Sequence, residues 1–334
     1  MRVAINGFGR IGRLVLRAIF ENSREKDLEV VAVNDLESVD TSIHLLKYDS
    51  VHGCFRREIK KISENKISIG DQEINFYSEK NPQNLPWKDL DIDLVMECTG
   101  VFKTKEACSL HLKAGARKVL LSCPGKDLEK IVIFGVNDEI LNKENDKIIS
   151  AGSCTTNCLA PIVKILDSEF GIEKGFASTI HSYTGDQSLV DKDHRDLRRA
   201  RAAAVNIIPT TTGATKSIEK IFPNLKGKLM GAAYRVPTPN VSLVDCNFVL
   251  KKSTTEEELK KVIVEWADFK FKQNVLGYTK ENLVSSDFNH SPYSSTVDLS
   301  LVKVIDGNFV NIVSWYDNEW GFSNRMIDNA CLLF

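Results

Sequence analysis

The tightest constraint on this chain lies in residues 2–35. Arg2-Val-Ala-Ile-Asn6 reads as a short buried strand, and Ile11, Leu14, Val15, Ala18 and Ile19 recur at helical spacing from about Arg10 onward. Leu28 to Asn34 (LEVVAVN) is a second apolar, β-branched strand. Strand, helix and strand in so short a span make a βαβ unit, whose crossover is right-handed. The turn between them, GFGRIG, puts Gly7, Gly9 and Gly12 in G-x-G-x-x-G order. One glycine makes the tight turn, one lets the backbone approach a pyrophosphate, and one allows close helix–strand packing. The N–H groups of the helix start then face the anion. Asp35 follows at roughly the 20-residue spacing at which a carboxylate accepts from ribose hydroxyls. A 2′-phosphate would meet a like charge there, which favours NAD over NADP. Alone, the glycine pattern also describes any glycine-rich strand–helix turn; with its flanking elements and Asp35 it points to dinucleotide binding.

A single hydrophobic core stops growing at roughly 250–300 residues, so a chain of 334 is expected to form two domains. Further strands are expected at Leu94–Glu97, Lys118–Ser122 and Ile131–Phe134, with helices at about 39–48 and 104–115. That alternation predicts a parallel sheet covered on both faces. Residues 55–80 alternate apolar and polar, which suggests an antiparallel hairpin insertion. The texture changes after about residue 150. A helix over 155–170 carries Leu159, Ile162, Val163, Leu166 and Phe170 on one face and is closed by Gly171. A polar, arginine-rich stretch (182–205) precedes strand-like segments at 229–236, 241–251, 296–305 and 308–317, interrupted by a helix at about 254–273. The expected second domain is α+β with a large, mostly antiparallel sheet. Asn318 to Leu333 reads helical and is expected to return to the first domain. The division expected is 1–152 with 318–334, and 153–317.

The charge balance, 44 Lys and Arg against 45 Asp and Glu, leaves no electrostatic footprint for nucleic acid or an anionic membrane. No apolar run approaches the roughly 18 residues of a membrane span. Met1 is followed at once by RVAINGFGRIG, where a signal peptide would need an apolar run, so a cytoplasmic location is expected. The eight cysteines are expected to be reduced thiols. Cys154 and Cys158 are spaced C-x3-C with no second pair at zinc-site spacing, so no metal site is expected.

Residues 150–158 read SAGSCTTNC, with Cys154 at the expected helix start. The helix dipole and a nearby imidazolium would lower its thiol pKa, and the thiolate would attack a carbonyl. Backbone N–H groups there would hold the oxyanion, with the hydroxyls of Ser153 and Thr155 beside it. A buried structural cysteine is the competing reading, and it describes most of the other seven. His181 follows the strand-like stretch Phe176–Ile180, where it could stabilise the thiolate and take the adduct's hydroxyl proton. Spacing alone leaves a solvated loop histidine equally open, and does not rank His181 above His44, His52, His111, His194 and His290.

The assembled blocks resemble one family. INGFGRIG (5–12), VND (33–35), ECTG (97–100), SCTTNCLAP (153–161), HSYTGDQ (181–187), DLRRARAAA (196–204), IIPTTTGA (207–214), RVPTPNVS (235–242) and SWYDNEWGFSNR (314–325) are colinear and similar to successive segments of glyceraldehyde-3-phosphate dehydrogenases. The resemblance implies a Rossmann-type doubly wound domain plus the catalytic domain, usually as a homotetramer with the 182–205 stretch at subunit contacts. It implies Cys154 as acyl carrier and His181 as base. Thr184 and Arg235 would hold the phosphate of D-glyceraldehyde 3-phosphate; Ser153, Thr155, Arg199, Thr212 and Gly213 would hold the attacking inorganic phosphate. Arg10, Ile11, Asp35, Ser122 and Asn318 would contact NAD, with Asn318 orienting the nicotinamide amide.

This chain also departs from the pattern. Ala151 and Gly152 replace Asn-Ala before the nucleophile, and Gly152 is expected to loosen that turn. Lys80-Asn81 stand for Arg-Asp, and Lys192-Asp193 for Leu-Pro, which leaves NADP use open behind NAD. Two rivals remain: erythrose-4-phosphate dehydrogenase on the same scaffold, which typically lacks the threonine of HSYT and the TTTG turn, and a catalytically silent NAD-binding regulator or adhesin.

Overall fold

The elements of the computed structural model, which describes residues 1–128 and 130–334, follow in chain order. They are β1 (Arg2–Asn6), α1 (Arg10–Glu21), β2 (Glu29–Asn34), α2 (Val39–Lys47), β3 (Tyr48–Asp49), β4 (Gly53–Cys54), β5 (Ile59–Ser63), β6 (Lys66–Ile69), β7 (Gln72–Tyr77), β8 (Leu94–Glu97), α3 (Lys105–Lys113), β9 (Lys118–Leu121) and β10 (Ile148–Ser150). Then come α4 (Cys154–Glu169), β11 (Ile172–Ser182), β12 (Ile208–Thr210), α5 (Ala214–Ile221), β13 (Leu229–Val236), β14 (Ser242–Leu250), α6 (Glu256–Glu265), β15 (Leu276–Thr279), β16 (Ser295–Asp298), β17 (Lys303–Ile305), β18 (Phe309–Tyr316) and α7 (Trp320–Leu332). The chain divides into two compact units. Unit 1 holds Met1–Phe134, Asp138–Gly152 and Ser323–Phe334; unit 2 holds Gly135–Asn137 and Ser153–Phe322.

Unit 1 is built on an eight-stranded sheet in the order β10-β9-β8-β1-β2-β7-β6-β5. From β10 to β7 every pairing is parallel; β7-β6-β5 is the antiparallel insertion that the alternating pattern announced, joined to the parallel sheet by the β2–β7 pairing. The strand expected at Ile131–Phe134 is absent. Ile131 makes one isolated parallel bridge, to Ser150, the last residue of the three-residue β10, so no ladder extends past it. Successive strands are added outward in opposite directions from β1, toward β2 on one side and β8 on the other, so the glycine turn sits at the switch point where α/β sheets bind ligands. Two of its glycines are sterically obligatory. A Cβ on Gly7 (φ +91°) would lie 2.6 Å from Thr99 N, and one on Gly12 would lie 2.1 Å from Gly7 O; one on Gly9 meets nothing within 4 Å.

The C-terminal part of α7 closes unit 1. Asn22 Nδ2 donates to Asn324 Oδ1 at 2.6 Å. The Lys118 ammonium, buried at the start of β9, donates to Lys143 O at 2.6 Å and to Leu333 O.

Unit 2 is built on the sheet β12-β13-β11-β14-β18-β16-β15, with β17 also on β18. It is mostly antiparallel; β11–β13 and β15–β16 are the parallel pairs. The strand expected over 296–305 breaks in two because Asp298 Oδ1 accepts from Ser300 N (3.1 Å) and Ser300 Oγ (2.6 Å), an Asx-type turn. The helix expected at 254–273 is α6, which ends in a π turn over Trp266–Lys270. Helix α4 lies against β11, β14, β16 and β18 and is buried on nearly every side, its polar Thr155, Thr156 and Asn157 included. Among the described residues, no helix is long and apolar enough to cross a membrane, and no group of three His, Cys, Asp or Glu side chains could hold a metal ion.

Gly12→Ala forces its methyl into Gly7 O and is expected to cost about 3 kcal/mol, whereas Gly9→Ala should leave the thermal midpoint unchanged and weaken only dinucleotide binding. Thermal unfolding and calorimetric titration of the two variants check this; equal midpoints would mean the turn can relax around a methyl.

Candidate active site

The N-terminus of α4 is set by its cap. Ser153 is in the extended region, and its Oγ accepts from Thr156 N at 3.1 Å and shares a 2.7 Å hydrogen bond with Thr156 Oγ1. Gly152 precedes it at φ +73°, in the left-handed region that glycine enters without strain. The expectation that Gly152 loosens this turn is therefore corrected: the turn takes a conformation that suits a glycine. Cys154 is thus the first residue of α4, at the positive end of its dipole.

Its sulfur faces His181. Cys154 Sγ lies 3.5 Å from His181 Nε2, and His181 Nδ1 lies 2.7 Å from the carbonyl oxygen of Ser182. Arg235 Nη1 also lies 3.2 Å from Nδ1, but it donates to Ser182 O and Thr184 Oγ1; the shorter contact to a carbonyl, which has no proton to give, assigns the hydrogen to Nδ1 and leaves the lone pair of Nε2 toward the thiol. His181 ends β11, and its register partner across the parallel β11–β13 pairing is Arg235. Arg235 Nη1 donates to Ser182 O (2.9 Å) and to Thr184 Oγ1 (3.3 Å). Its Nε is buried without a hydrogen-bond partner.

The electrostatics differ from the sequence expectation. Burial first, and then the charge of Arg235, push His181 from 6.5 down to about 3. It is a neutral imidazole, and no imidazolium stands beside the thiol. Burial pushes the Cys154 thiol up, outweighing the downward pull of Arg235 and of its hydrogen bonds with Thr155. The resting pair is thus a thiol and a neutral base rather than a thiolate and an imidazolium.

The remaining polar residues of unit 2 form two groups. Arg199 donates to Asp186 Oδ2 (2.7 Å) and Thr210 Oγ1 (3.0 Å), and its charge acts on both His181 and Arg235. Burial, then Arg199, lower the pKa of Arg235, so two guanidinium charges oppose each other here. Thr212 Oγ1 accepts from Ala214 N, with Gly213 at the start of α5. Gly213 has an ordinary φ and nothing within 4 Å of a notional Cβ, so the local backbone does not require glycine. Thr155 Oγ1 lies 4.0 Å from Cys154 Sγ and bonds the Tyr316 hydroxyl at 2.9 Å, and Tyr316 also reaches Thr179 Oγ1 at 2.9 Å. Asn318 Oδ1 accepts from Ser182 Oγ (2.8 Å) and Ser242 Oγ (2.9 Å), which fixes which way its carboxamide points.

Unit 1 carries a cleft of about 370 Å³ at the C-terminal ends of its strands, lined in part by Asn6, Gly7, Gly9, Asp35, Glu79 and Thr99. Asp35 is held at the mouth by the N–H groups of Phe8 (2.5 Å) and Glu37 (3.0 Å). The open face at Gly9, the first turn of α1 with Arg10 and Ile11, and this carboxylate fit a pyrophosphate followed by a ribose. The Arg10 guanidinium is paired with Asp49. Burial pulls the Asp49 carboxyl up, but that pair and the N–H groups of His52 and Val51 hold it at about 2. Ser122 follows β9, with its N–H on Glu97 O at 3.0 Å. Lys80 lines the cleft, while Lys192 and Asp193 are exposed in the arginine-rich stretch of unit 2.

Comparison with known proteins agrees with this geometry. Residues 1–105 match the profile described as glyceraldehyde 3-phosphate dehydrogenase, NAD binding domain, and residues 153–318 the profile of the C-terminal domain of the same family. The chain belongs to the glyceraldehyde-3-phosphate dehydrogenase family. It is similar to glyceraldehyde-3-phosphate dehydrogenase of Xanthobacter flavus, at 51% identity over 99% of this chain and 97% of the relative. The enzyme of Geobacillus stearothermophilus is 49% identical over 100% and 98%. The chloroplastic glyceraldehyde-3-phosphate dehydrogenase A of Zea mays is 50% identical over 99% and 81%.

Sequence reasoning passed over several residues that shape a family site like this one. Tyr316 sits within the quoted SWYDN block, but nothing in the pattern says that its hydroxyl holds Thr155. Ser182 and Ser242 are ordinary serines until β11 and β14 bring them to Asn318. The pairing of His181 with Arg235 is a fact of sheet register that local periodicity does not carry.

The direction of the His181 shift predicts a pH effect. Above 6.5 the folded and unfolded imidazoles are both neutral; below it the unfolded chain takes a proton that the native site refuses until about 3. Stability is therefore lost as pH falls through 6.5 toward 3, by about 1.4 kcal/mol per pH unit for this one proton. In thermal unfolding followed downward from neutral pH, His181→Gln is expected to lose stability less steeply than wild type. Parallel curves would mean that the native imidazole titrates normally.

Proposed function

We propose that this chain is an NAD-dependent, phosphorylating dehydrogenase that oxidises D-glyceraldehyde 3-phosphate to 1,3-bisphosphoglycerate through a thioester on Cys154. The observation that carries the reading is the 3.5 Å approach of Cys154 Sγ to a His181 nitrogen whose lone pair is fixed toward it. As Sγ bonds to the aldehyde carbon, its proton passes to Nε2 and then to the former carbonyl oxygen, while backbone N–H groups at the start of α4 hold that oxygen. A bound NAD would supply the hydride acceptor for the hemithioacetal carbon. As that C–H bond breaks, Nε2 takes back the hydroxyl proton, leaving a thioester on Sγ. Phosphate oxygen then bonds to the acyl carbon, the C–S bond breaks, and His181 returns a proton to sulfur.

The substrate phosphate is assigned to Thr184 and Arg235, and the attacking phosphate to Ser153, Thr155, Arg199, Thr212 and Gly213. The opposed charges of Arg199 and Arg235 support both subsites, because an anion relieves them. NAD is assigned to Gly7, Gly9, Arg10, Ile11, Gly12, Asp35, Ser122 and Asn318. The carboxylate of Asp35 at the ribose end favours NAD over NADP.

A homotetramer is part of the same reading. Leu189, Val190, Leu197, Val205, Ile207 and Met230 are each at least 69% exposed, and apolar surface of that kind is covered by further copies of a chain. The compartment read is the cytoplasm, in keeping with eight free cysteines.

Absorbance at 340 nm tests the reading. Reduction of NAD is expected to need glyceraldehyde 3-phosphate and either phosphate or arsenate, and to exceed that with NADP or with erythrose 4-phosphate. Cys154→Ser should abolish turnover. His181→Asn should slow it by about 10²–10⁴-fold while NAD still binds. Undiminished phosphate-dependent turnover by the serine variant would sink the covalent scheme.

A further inference from the structure

A buried charge that touches neither the glycine turn nor the cleft organises unit 1. Glu97, at the end of β8, is 1% exposed and is not among the residues lining the cleft. All four of its lone-pair positions are filled by neutral donors. Oε1 accepts from Thr99 N (2.8 Å) and Thr99 Oγ1; Oε2 accepts from Asn6 Nδ2 (2.6 Å) and lies 3.1 Å from His111 Nε2. Trp87 Nε1 donates to His111 Nδ1 at 3.0 Å, so the imidazole hydrogen is on Nε2 and points at the carboxylate.

The network continues sideways across the sheet. Asn6 ends β1 and is the register partner of both Glu97 and Asn34. Asn34 Nδ2 donates to Asn6 Oδ1 (2.7 Å) and to Glu79 O (2.9 Å), and Asn34 Oδ1 accepts from Glu79 N (2.9 Å). The belt thus runs along the strand ends from β8 through β1 and β2 to the chain just after β7. Its only charge lies at one end, and both amides donate toward it. A carboxylate accepts only, so Asn6 has to present its NH₂, its oxygen has to face Asn34, and Asn34 has to face Glu79 as it does.

We propose that Glu97 is a positioning residue for the adenosine side of the dinucleotide cleft: its carboxylate dictates the amide orientations of Asn6 and Asn34 and so fixes the Glu79–Lys80 wall three strands away. Thr99 is set by the same carboxylate. Its hydroxyl is drawn inward, and its methyl stands where a Cβ on Gly7 would come within 2.8 Å. The inference rests on the reading that a dinucleotide binds this cleft.

Replacing the carboxylate by an amide makes the consequence explicit. In Glu97→Gln the amide oxygen stays with Thr99, and its NH₂ confronts both that of Asn6 and the Nε2–H of His111. Asn6 and then Asn34 must turn over, which leaves two donors opposed at Glu79 N and Glu79 O without a partner. Adding Asn6→Asp places an acceptor-only group one strand along, which receives the NH₂ groups of the new amide and of Asn34 together and restores Asn34.

The test is calorimetric titration of NAD and ADP-ribose into wild type, E97Q, the double variant N6D/E97Q, and H111Q, with thermal midpoints alongside. H111Q keeps an NH₂ donor for Glu97 while removing the ring stacked on Trp87, so it reports structural loss alone. E97Q is expected to raise the Kd for ADP-ribose by about tenfold or more, the double variant to recover most of that, and H111Q to lower the midpoint with Kd unchanged. A folded E97Q with wild-type Kd overturns the proposal. So does a Kd that tracks the midpoint across all variants, or a double variant that does not fold or does not bind. Wild type that binds neither ligand would instead remove the dinucleotide reading on which the proposal stands.

Discussion

The chemistry of unit 2 depends on one hydrogen bond, from His181 Nδ1–H to the carbonyl of Ser182. It is local, between a side chain and the next residue's backbone, and it settles which ring nitrogen is basic. With the hydrogen spent there, the other nitrogen has only its lone pair to offer Cys154. Arg235 Nη1 donates to the same carbonyl and keeps it in place. The burial that makes the imidazole a poor holder of protons also makes the thiol reluctant to give one up. Neither group is charged in the resting site, which spares it the cost of isolated buried ions.

Unit 1 solves a different problem by related means. Its cleft must present backbone N–H groups and one carboxylate in fixed places with no side chain in the way. Gly7 and Gly12 provide the close approach, and the polar belt from Glu97 to Glu79 holds the strand ends beneath it. In both units a group that can only accept, a carbonyl in one and a carboxylate in the other, imposes direction on neighbours that could otherwise point either way.

Much of this was legible in the sequence, for identifiable reasons. The glycine turn, Asp35, the parallel strands and the α4 start are local patterns with a period or a spacing, and local patterns survive folding. Cys154 announces itself by its position at a helix N-terminus. His181 did not; spacing left it level with a solvated histidine, and only family resemblance raised it. The thiol's pKa went the other way because burial is a property of packing, which dipole arguments made along a chain do not see. Ile131–Phe134 failed as a strand because β10 ends at the residue that Ile131 bridges, and residues 296–305 broke at Asp298 because a side chain captured the backbone. The role of Glu97 was illegible for the same reason as the Arg235–His181 pairing: each depends on which strands become neighbours.

The assembly of unit 1 has a consequence for the order in which the chain can mature on the ribosome. Its sheet is complete once Ser150 has emerged, yet Asn22 and the buried ammonium of Lys118 take partners from Asn324 and Leu333. Those partners are synthesised only after every residue of unit 2. The nascent first unit therefore waits, sheet formed but helix missing, while the whole of the second is translated. Domain-by-domain completion from the N-terminus is closed to this chain. A polypeptide interrupted before Ser323 leaves that cation with the Lys143 carbonyl and without Leu333.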